Sequence, residues 1–255
     1  MKDIKTLAVI PARYASSRFP GKPLAEIRGK SMVRRTWERT RRAELVTRPV
    51  IATDDERIYR AAEAFGAEVM MTAAHHPSGT DRCAEVAARL AEPYDLVVNV
   101  QGDEPFIRPE QIDLVLTALA ENPDWNICTL RRALTATEAI LDPNIVKVVA
   151  DSAGRALYFS REPIPHLRGL PQHEWPARKL HFQHIGLYAY RSETLQELTR
   201  LSPAPLEIAE SLEQLRWLQA GYPIGVATTT LPSIGIDRPE DLRRLLAEWL
   251  PEFDD

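Results

Sequence analysis

Leu7-Ala8-Val9-Ile10-Pro11-Ala12-Arg13-Tyr14-Ala15-Ser16-Ser17-Arg18-Phe19-Pro20-Gly21-Lys22-Pro23 decides the fold class. Its first four residues are an aliphatic run suited to a strand buried on both faces. The rest is a loop by composition, with small residues, prolines and three cations. Similar short runs recur and alternate with segments of helical periodicity. Strands are predicted over 7–10, 49–53, 68–71 and 95–100, and helices over 31–43, 55–65 and 80–90. This alternation predicts βαβ units: an α/β fold with a doubly wound, mostly parallel sheet. In such a sheet the loops after the strands face the ligand crevice, so a cationic loop after the first strand is well placed to wrap phosphates. It is not a Walker A loop, because the glycine spacing and the Lys-Ser/Thr pair are missing.

After a further helix over 109–121 the pattern changes. Residues 127–132, 146–150, 156–160 and 184–190 read as strands with few helices between them, either antiparallel additions or a small dimerisation lobe. Residues 163–176, rich in Pro, His and Gly, read as a long loop of the functional or mobile kind. Helical spacing returns over 207–221, a strand is predicted over 224–229, and 239–249 reads as a closing helix.

At 255 residues the chain can bury a sizeable core, and its 44% hydrophobic and 27% charged residues fit an ordinary globular protein. A net charge of -4 argues against a general nucleic-acid binder, which needs a basic surface. The opening residues carry neither a membrane span nor a secretory cleavage site, so a cytoplasmic protein without a membrane partner is expected. Cys83 and Cys128 lack metal-ligand spacing and read as core residues. Arg34, Arg35, Arg39, Arg41 and Arg42 read as solvated positions on a helix.

Several polar residues carry candidate chemistry. Asp103, in Gln101-Gly102-Asp103-Glu104-Pro105 at the end of the buried strand, can hold a hard cation such as Mg²⁺ or simply close an Asx-turn. Asp237, with Pro239 and Glu240 following, reads as a helix N-cap that can also ligate a metal. In Ser78-Gly79-Thr80-Asp81-Arg82, Thr80 reads as the cap, whereas capping leaves Arg82 unexplained and able to reach a base or phosphate. His184 enters a strand and reads as structural or catalytic. Glu207, Glu210 and Gln214 fall on one face of the helix predicted there, either solvated or lining a pocket for hydroxyl groups.

Together these segments resemble the 3-deoxy-manno-octulosonate cytidylyltransferases, the CMP-Kdo synthetase family, over about residues 7–242. The resemblance rests on 10–23, 52–54, 78–82, 99–105, 156–161, 184–190, 205–207, 213–216 and 237–242, in that order and spacing. It implies a nucleotide-diphospho-sugar transferase-like domain over 1–255, with a dimerisation and sugar-binding section at about 127–201. The implied reaction joins CTP and 3-deoxy-manno-octulosonate (Kdo) into CMP-Kdo and pyrophosphate for lipopolysaccharide synthesis, with Mg²⁺ as cofactor and a homodimer as the working form.

By similarity, Arg13 and Lys22 hold the triphosphate and Asp103 and Asp237 bind Mg²⁺, these four forming the catalytic set. Pro11, Ser16, Ser78, Arg82 and Gln101 complete the nucleotide site. Arg161, His184, Tyr188, Glu207, Glu210 and Gln214 line the sugar site. Two positions depart from the family pattern: Gln183 stands where many relatives have a basic residue, and Ile208 where some have His. A relative that uses an amino-substituted Kdo leaves the sugar open. Related readings are a CMP-sialic acid synthetase, a sugar-nucleotide pyrophosphorylase and a non-catalytic nucleotide-binding regulator, the last disfavoured by the paired Asp103 and Asp237.

Overall fold

The structure is a computed structural model, and it describes residues 4–15, 19–232, 234–236, 238–247 and 249. In chain order the strands are β1 (Thr6–Ala12), β2 (Glu26–Ile27), β3 (Lys30–Ser31), β4 (Arg48–Thr53), β5 (Val69–Met71), β6 (Leu96–Asn99), β7 (Ile127–Ala133), β8 (Lys147–Ala150), β9 (Ala156–Ser160), β10 (Phe182–Arg191) and β11 (Ile224–Thr228). The α-helices are α1 (Met32–Thr40), α2 (Glu56–Ala64), α3 (Gly79–Arg89), α4 (Pro109–Glu121), α5 (Thr137–Leu141), α6 (Ser192–Leu198), α7 (Pro205–Glu210), α8 (Gln214–Gln219) and α9 (Pro239–Ala247). The chain divides into two compact units, Met1–Asp113 with Ser233–Asp255, and Leu114–Pro232.

In the first unit β1 is central. It pairs in parallel with β4 on one side and β6 on the other, and β4 pairs in parallel with β5. Leu7, Val9, Ile10, Val97 and Val98 are fully buried, as expected of strands covered on both faces. Because these strands run the same way, the chain leaves all of them toward one edge, the edge that carries the cationic loop and Asp103. Asp55 caps α2, accepting from the Arg57 amide at 2.9 Å. Ser78 caps α3, accepting from the Asp81 amide at 3.2 Å, which corrects the expectation that Thr80 is the cap; Thr80 lies two residues further in and is buried.

Two features of this unit depart from the sequence reading. Residues 26–31 form a tight hairpin, β2 antiparallel to β3, turned through Arg28 (φ 48°) and Gly29 (φ 78°). The solvated-helix reading of the arginine run fails at Arg35 and Arg39, both 4% exposed. Arg35 keeps its charge satisfied by donating from Nε to the Ile27 carbonyl at 3.0 Å and by lying over the Trp249 ring at 5.5 Å, while its stem packs as an apolar chain.

In the second unit β7 pairs in parallel with β11 and antiparallel with β10, which meets β8 at Gln183 opposite Lys147; β8 continues antiparallel to β9. The antiparallel strands expected here are thus present. Residues 163–176 are anchored by Trp175, which is 3% exposed, joins Leu134 and Ile140 in a small core, donates from Nε1 to the Leu170 carbonyl and stacks on His181. The single helix expected over 207–221 is two, because Ser211 at the end of α7 takes a left-handed conformation (φ 52°) and α8 starts in a new direction. Cys83 and Cys128 are free and buried, as expected. Among the described residues no helix is long and apolar enough to cross a membrane.

Candidate active site

In the first unit the loop after β1 folds back against the turn after β6. Gly102 lets that turn lie close against the end of β1, since a Cβ there would stand 2.5 Å from the Pro11 carbonyl oxygen. The next residue, Asp103, meets Lys22 with 2.7 Å between Oδ2 and Nζ; the lysine side chain is 7% exposed and the carboxylate 41%. Lys22 sits just after Gly21 (φ 71°), whose amide donates to the Tyr14 carbonyl at 2.9 Å and so closes the loop at its base. The Arg57 guanidinium lies 3.2 Å over the Tyr14 ring. Arg13 reaches across the edge, donating from Nη2 to the His76 carbonyl at 2.6 Å.

The remaining nucleotide candidates divide by exposure. Pro11 is half-buried, Gln101 donates from Nε2 to Asn99 Oδ1 at 3.4 Å, and Ser78 Oγ also donates to Asp81 Oδ2 at 2.5 Å. Arg82 is 0% exposed. Its Nη1 donates to Thr72 Oγ1, which itself donates to the Thr53 carbonyl, and its Nη2 lies 3.4 Å from Asp54. Burial pulls its pKa down, Asp54 opposes this, and the nearby Arg13 charge adds to the fall. Arg82 therefore underlies this edge rather than facing outward from it. Ser16 and Asp237 lie outside the described residues.

In the second unit a separate polar cluster gathers on β9, β10, α7 and α8. Glu210 accepts from Ser160 Oγ at 2.7 Å and from the Arg161 amide at 2.9 Å, while Arg161 Nε donates to the Glu210 carbonyl at 2.7 Å. His184 is half-buried, with its ring edge against Phe159 and its Nε2 3.0 Å from Thr129 Oγ1. The one Thr129 hydroxyl proton is taken by the Ile185 and Leu187 carbonyls, both at 2.9 Å, so the oxygen accepts from His184 Nε2–H and leaves Nδ1 as the acceptor. Burial pushes this imidazole down to about 3, which keeps it neutral.

Tyr188 and Gln214 are buried, and neither the Tyr188 hydroxyl nor Gln214 Nε2 has a hydrogen-bond partner among the described residues. Buried polar atoms without a partner are uncommon, and both stand on the elements that carry this cluster. Glu207 does not share their surroundings. It accepts from the Ala204 amide at 3.1 Å and forms a two-point ion pair with Arg216, Oε2 to Nε at 2.7 Å and Oε1 to Nη2 at 2.5 Å. The one-face argument that grouped Glu207 with Gln214 lapses with the break at Ser211; its carboxylate braces α7 against α8.

The sequence profile of the cytidylyltransferase family matches residues 7–226. A 3-deoxy-manno-octulosonate cytidylyltransferase of Syntrophotalea carbinolica is 52% identical over 243 residues, covering 94% of this chain and 96% of the relative. One from Cytophaga hutchinsonii is 48% identical over 247 residues, covering 95% and 97%. The chain belongs to the 3-deoxy-manno-octulosonate cytidylyltransferase family. The solved structure of a CMP:2-keto-3-deoxy-manno-octonic acid synthetase complexed with CTP superposes with a TM-score of 0.87 at 41% identity, covering 96% of this chain and 98% of that one. The α/β fold with its mostly parallel strands is thus the fold of this family.

The folded chain also brings in residues to which the sequence assigned no role. Thr72, Thr129, His76 and Glu85 all touch candidate site residues directly or through one bond. His76 and Glu85 stand close to the Ser78–Arg82 segment, which was the available signal, but only the folded chain brings Arg13 to the His76 carbonyl.

Proposed function

We propose that the chain transfers CMP from CTP to the anomeric 2-hydroxyl of Kdo, releasing pyrophosphate. The observation that carries this reading is the first unit's arrangement of Arg13, Lys22 and Asp103 after parallel strand ends, in a chain about half identical to Kdo cytidylyltransferases over nearly its full length. Two cations suit a polyanionic nucleotide, and phosphoryl-group chemistry asks mainly for positioning and charge neutralisation. Arg13 and Lys22 hold phosphate oxygens; Pro11, Ser78 and Gln101 border the nucleoside, with the buried Arg82 supporting this edge, and Ser16 is assigned to the nucleotide by resemblance alone. In the second unit Arg161 and Glu210 fix one another, and His184, Tyr188 and Gln214 offer an acceptor and two donors to sugar hydroxyls.

Asp103 and Asp237 would hold Mg²⁺. The fit rests on Asp103, a part-exposed carboxylate at a strand end; Mg²⁺ takes one or two such carboxylates and fills its other positions with phosphate and water. When bound it supplies charge neutralisation and acidification of a hydroxyl. The Lys22 ammonium holds Asp103 in place and can turn to phosphate oxygens. The reading extends to a cytoplasmic homodimer supplying lipopolysaccharide synthesis.

The decisive experiment measures pyrophosphate release with each of four NTPs, with and without Mg²⁺, and with Kdo, 8-amino-Kdo, sialic acid or no sugar. Release with CTP and Kdo that exceeds every other combination supports the proposal. Release independent of sugar, or equal with ATP, rejects it.

A further inference from the structure

Arg13 is held in place by a chain of contacts that starts on α3. Glu85 accepts from the Ala73 amide at 2.9 Å, from His76 Nε2 at 2.5 Å and from Arg89 Nη1 at 2.8 Å. Ala73 and His76 both belong to the segment between β5 and α3, so one carboxylate pins that segment at two points. The His76 and Glu85 side chains are 15% and 21% exposed, which strengthens their contact relative to one in water. Burial opposes ionisation of Glu85, yet the Ala73 amide, His76 and Arg89 outweigh it and hold its carboxyl down to about 2. The carbonyl of the pinned His76 then accepts from Arg13 Nη2 at 2.6 Å, across 63 residues of sequence.

We infer that His76 and Glu85 are positioning residues for Arg13, fixing the carbonyl that aims its guanidinium at the nucleotide. An arginine side chain carries several free torsions, and a fixed acceptor removes much of that freedom before the ligand arrives. Glu85 has a second effect through charge. It adds to Asp54, the larger contributor, in favouring the protonated form of buried Arg82, which burial and Arg13 disfavour. The inference rests on the reading of Arg13 as a triphosphate ligand.

The test is a double-mutant cycle on CTP affinity, measured by calorimetry with Mg²⁺ present, using Arg13→Ala, His76→Ala and the double variant, with kcat and both KM values alongside. Alanine at position 76 keeps the carbonyl but removes its anchor to Glu85. His76→Ala is expected to weaken CTP binding about tenfold and to leave the KM for Kdo within about twofold. The double variant should bind CTP no more weakly than Arg13→Ala alone, and His76→Gln, which retains a donor to Glu85, should recover most of the affinity. Additive losses, or a His76→Ala enzyme with unaltered CTP affinity beside a weakened Arg13→Ala enzyme, overturn the inference and leave the Arg13 reading intact. Unchanged affinity in Arg13→Ala overturns both. Should His76→Ala fail to fold, His76→Ser, whose side chain is too short to reach Glu85, takes its place in the same cycle with the same expected outcomes.

Discussion

Desolvation of the half-buried His184 ring keeps it neutral in the folded chain, and its pKa of about 3 lies well below the ordinary histidine value of roughly 6.5. A group with a depressed folded pKa binds fewer protons in the native than in the unfolded state at any pH between the two values. Its contribution to stability is therefore complete above about 6.5 and is lost as pH falls toward 3. Glu85 adds a lower window of the same sign, complete above about 4.5 and lost as pH falls toward 2. Melting temperature is predicted to fall steadily from pH 7 to pH 4.5, with the slope reduced in His184→Gln; an equal slope in that variant removes His184 as the cause. Asp103 makes a second residue-scale case. Asp103→Asn removes the anionic partner of Lys22, but the carboxylate is 41% exposed, so water screens the loss to about 1–2 kcal/mol. Turnover should drop by about 100-fold or more, because a neutral amide is a poor ligand for Mg²⁺. A folded Asp103→Asn enzyme with near-normal turnover contradicts the metal-ligand proposal.

At the scale of elements, the pairing of Glu207 with Arg216 joins α7 to α8 through side chains only 14% and 11% exposed. Removing one charge of such a pair leaves the other uncompensated, so Glu207→Gln is predicted to cost about 3 kcal/mol, read as a lower denaturation midpoint. The KM for Kdo of the folded variant should stay within about twofold; a large rise in KM without loss of stability returns Glu207 to the sugar site. Gly225→Ala tests β11 in the same way: its Cβ would stand 1.9 Å from the Trp125 ring, and relieving that overlap requires the ring or the strand to move. The elements most legible in the sequence were those whose periodicity and boundary residues agree. The helix over 109–121 and the strand over 156–160 coincide with α4 and β9. The break at Ser211 was not legible, because a left-handed residue is signalled by Gly or Asn and here is Ser. The hairpin over 26–31 hides one of its positive φ angles behind an arginine for the same reason. Of the candidate site, Lys22 and Asp103 were legible because strand ends in a parallel sheet face one edge. The anchoring of Arg13 through His76 was not, since no local pattern encodes a contact spanning 63 residues.

For the molecule as a whole, the net charge of -4 coexists with a local group of cations, so charge counted over the chain argues against a general nucleic-acid surface but does not locate the proposed phosphate site. The proposed homodimer belongs to this scale. Leu157, Leu180, Leu206 and Ile208 are 61%, 50%, 38% and 68% exposed, and all four lie in the second unit. Leu157 sits on β9, whose ladder among the described residues runs only to β8. A leucine this exposed on a strand offers apolar area through which chains can associate. Light scattering coupled to size exclusion is predicted to give roughly twice 28.8 kDa at micromolar concentration. Leu157→Lys should shift the mass toward that of one chain, because a charge buried in the interface would have no partner there. CTP affinity should remain within about twofold in that variant, since the residues proposed to hold phosphate all lie outside the second unit. A mass of one chain for the unaltered protein across the concentration range contradicts the dimer, and a dimer untouched by Leu157→Lys places its interface on another surface.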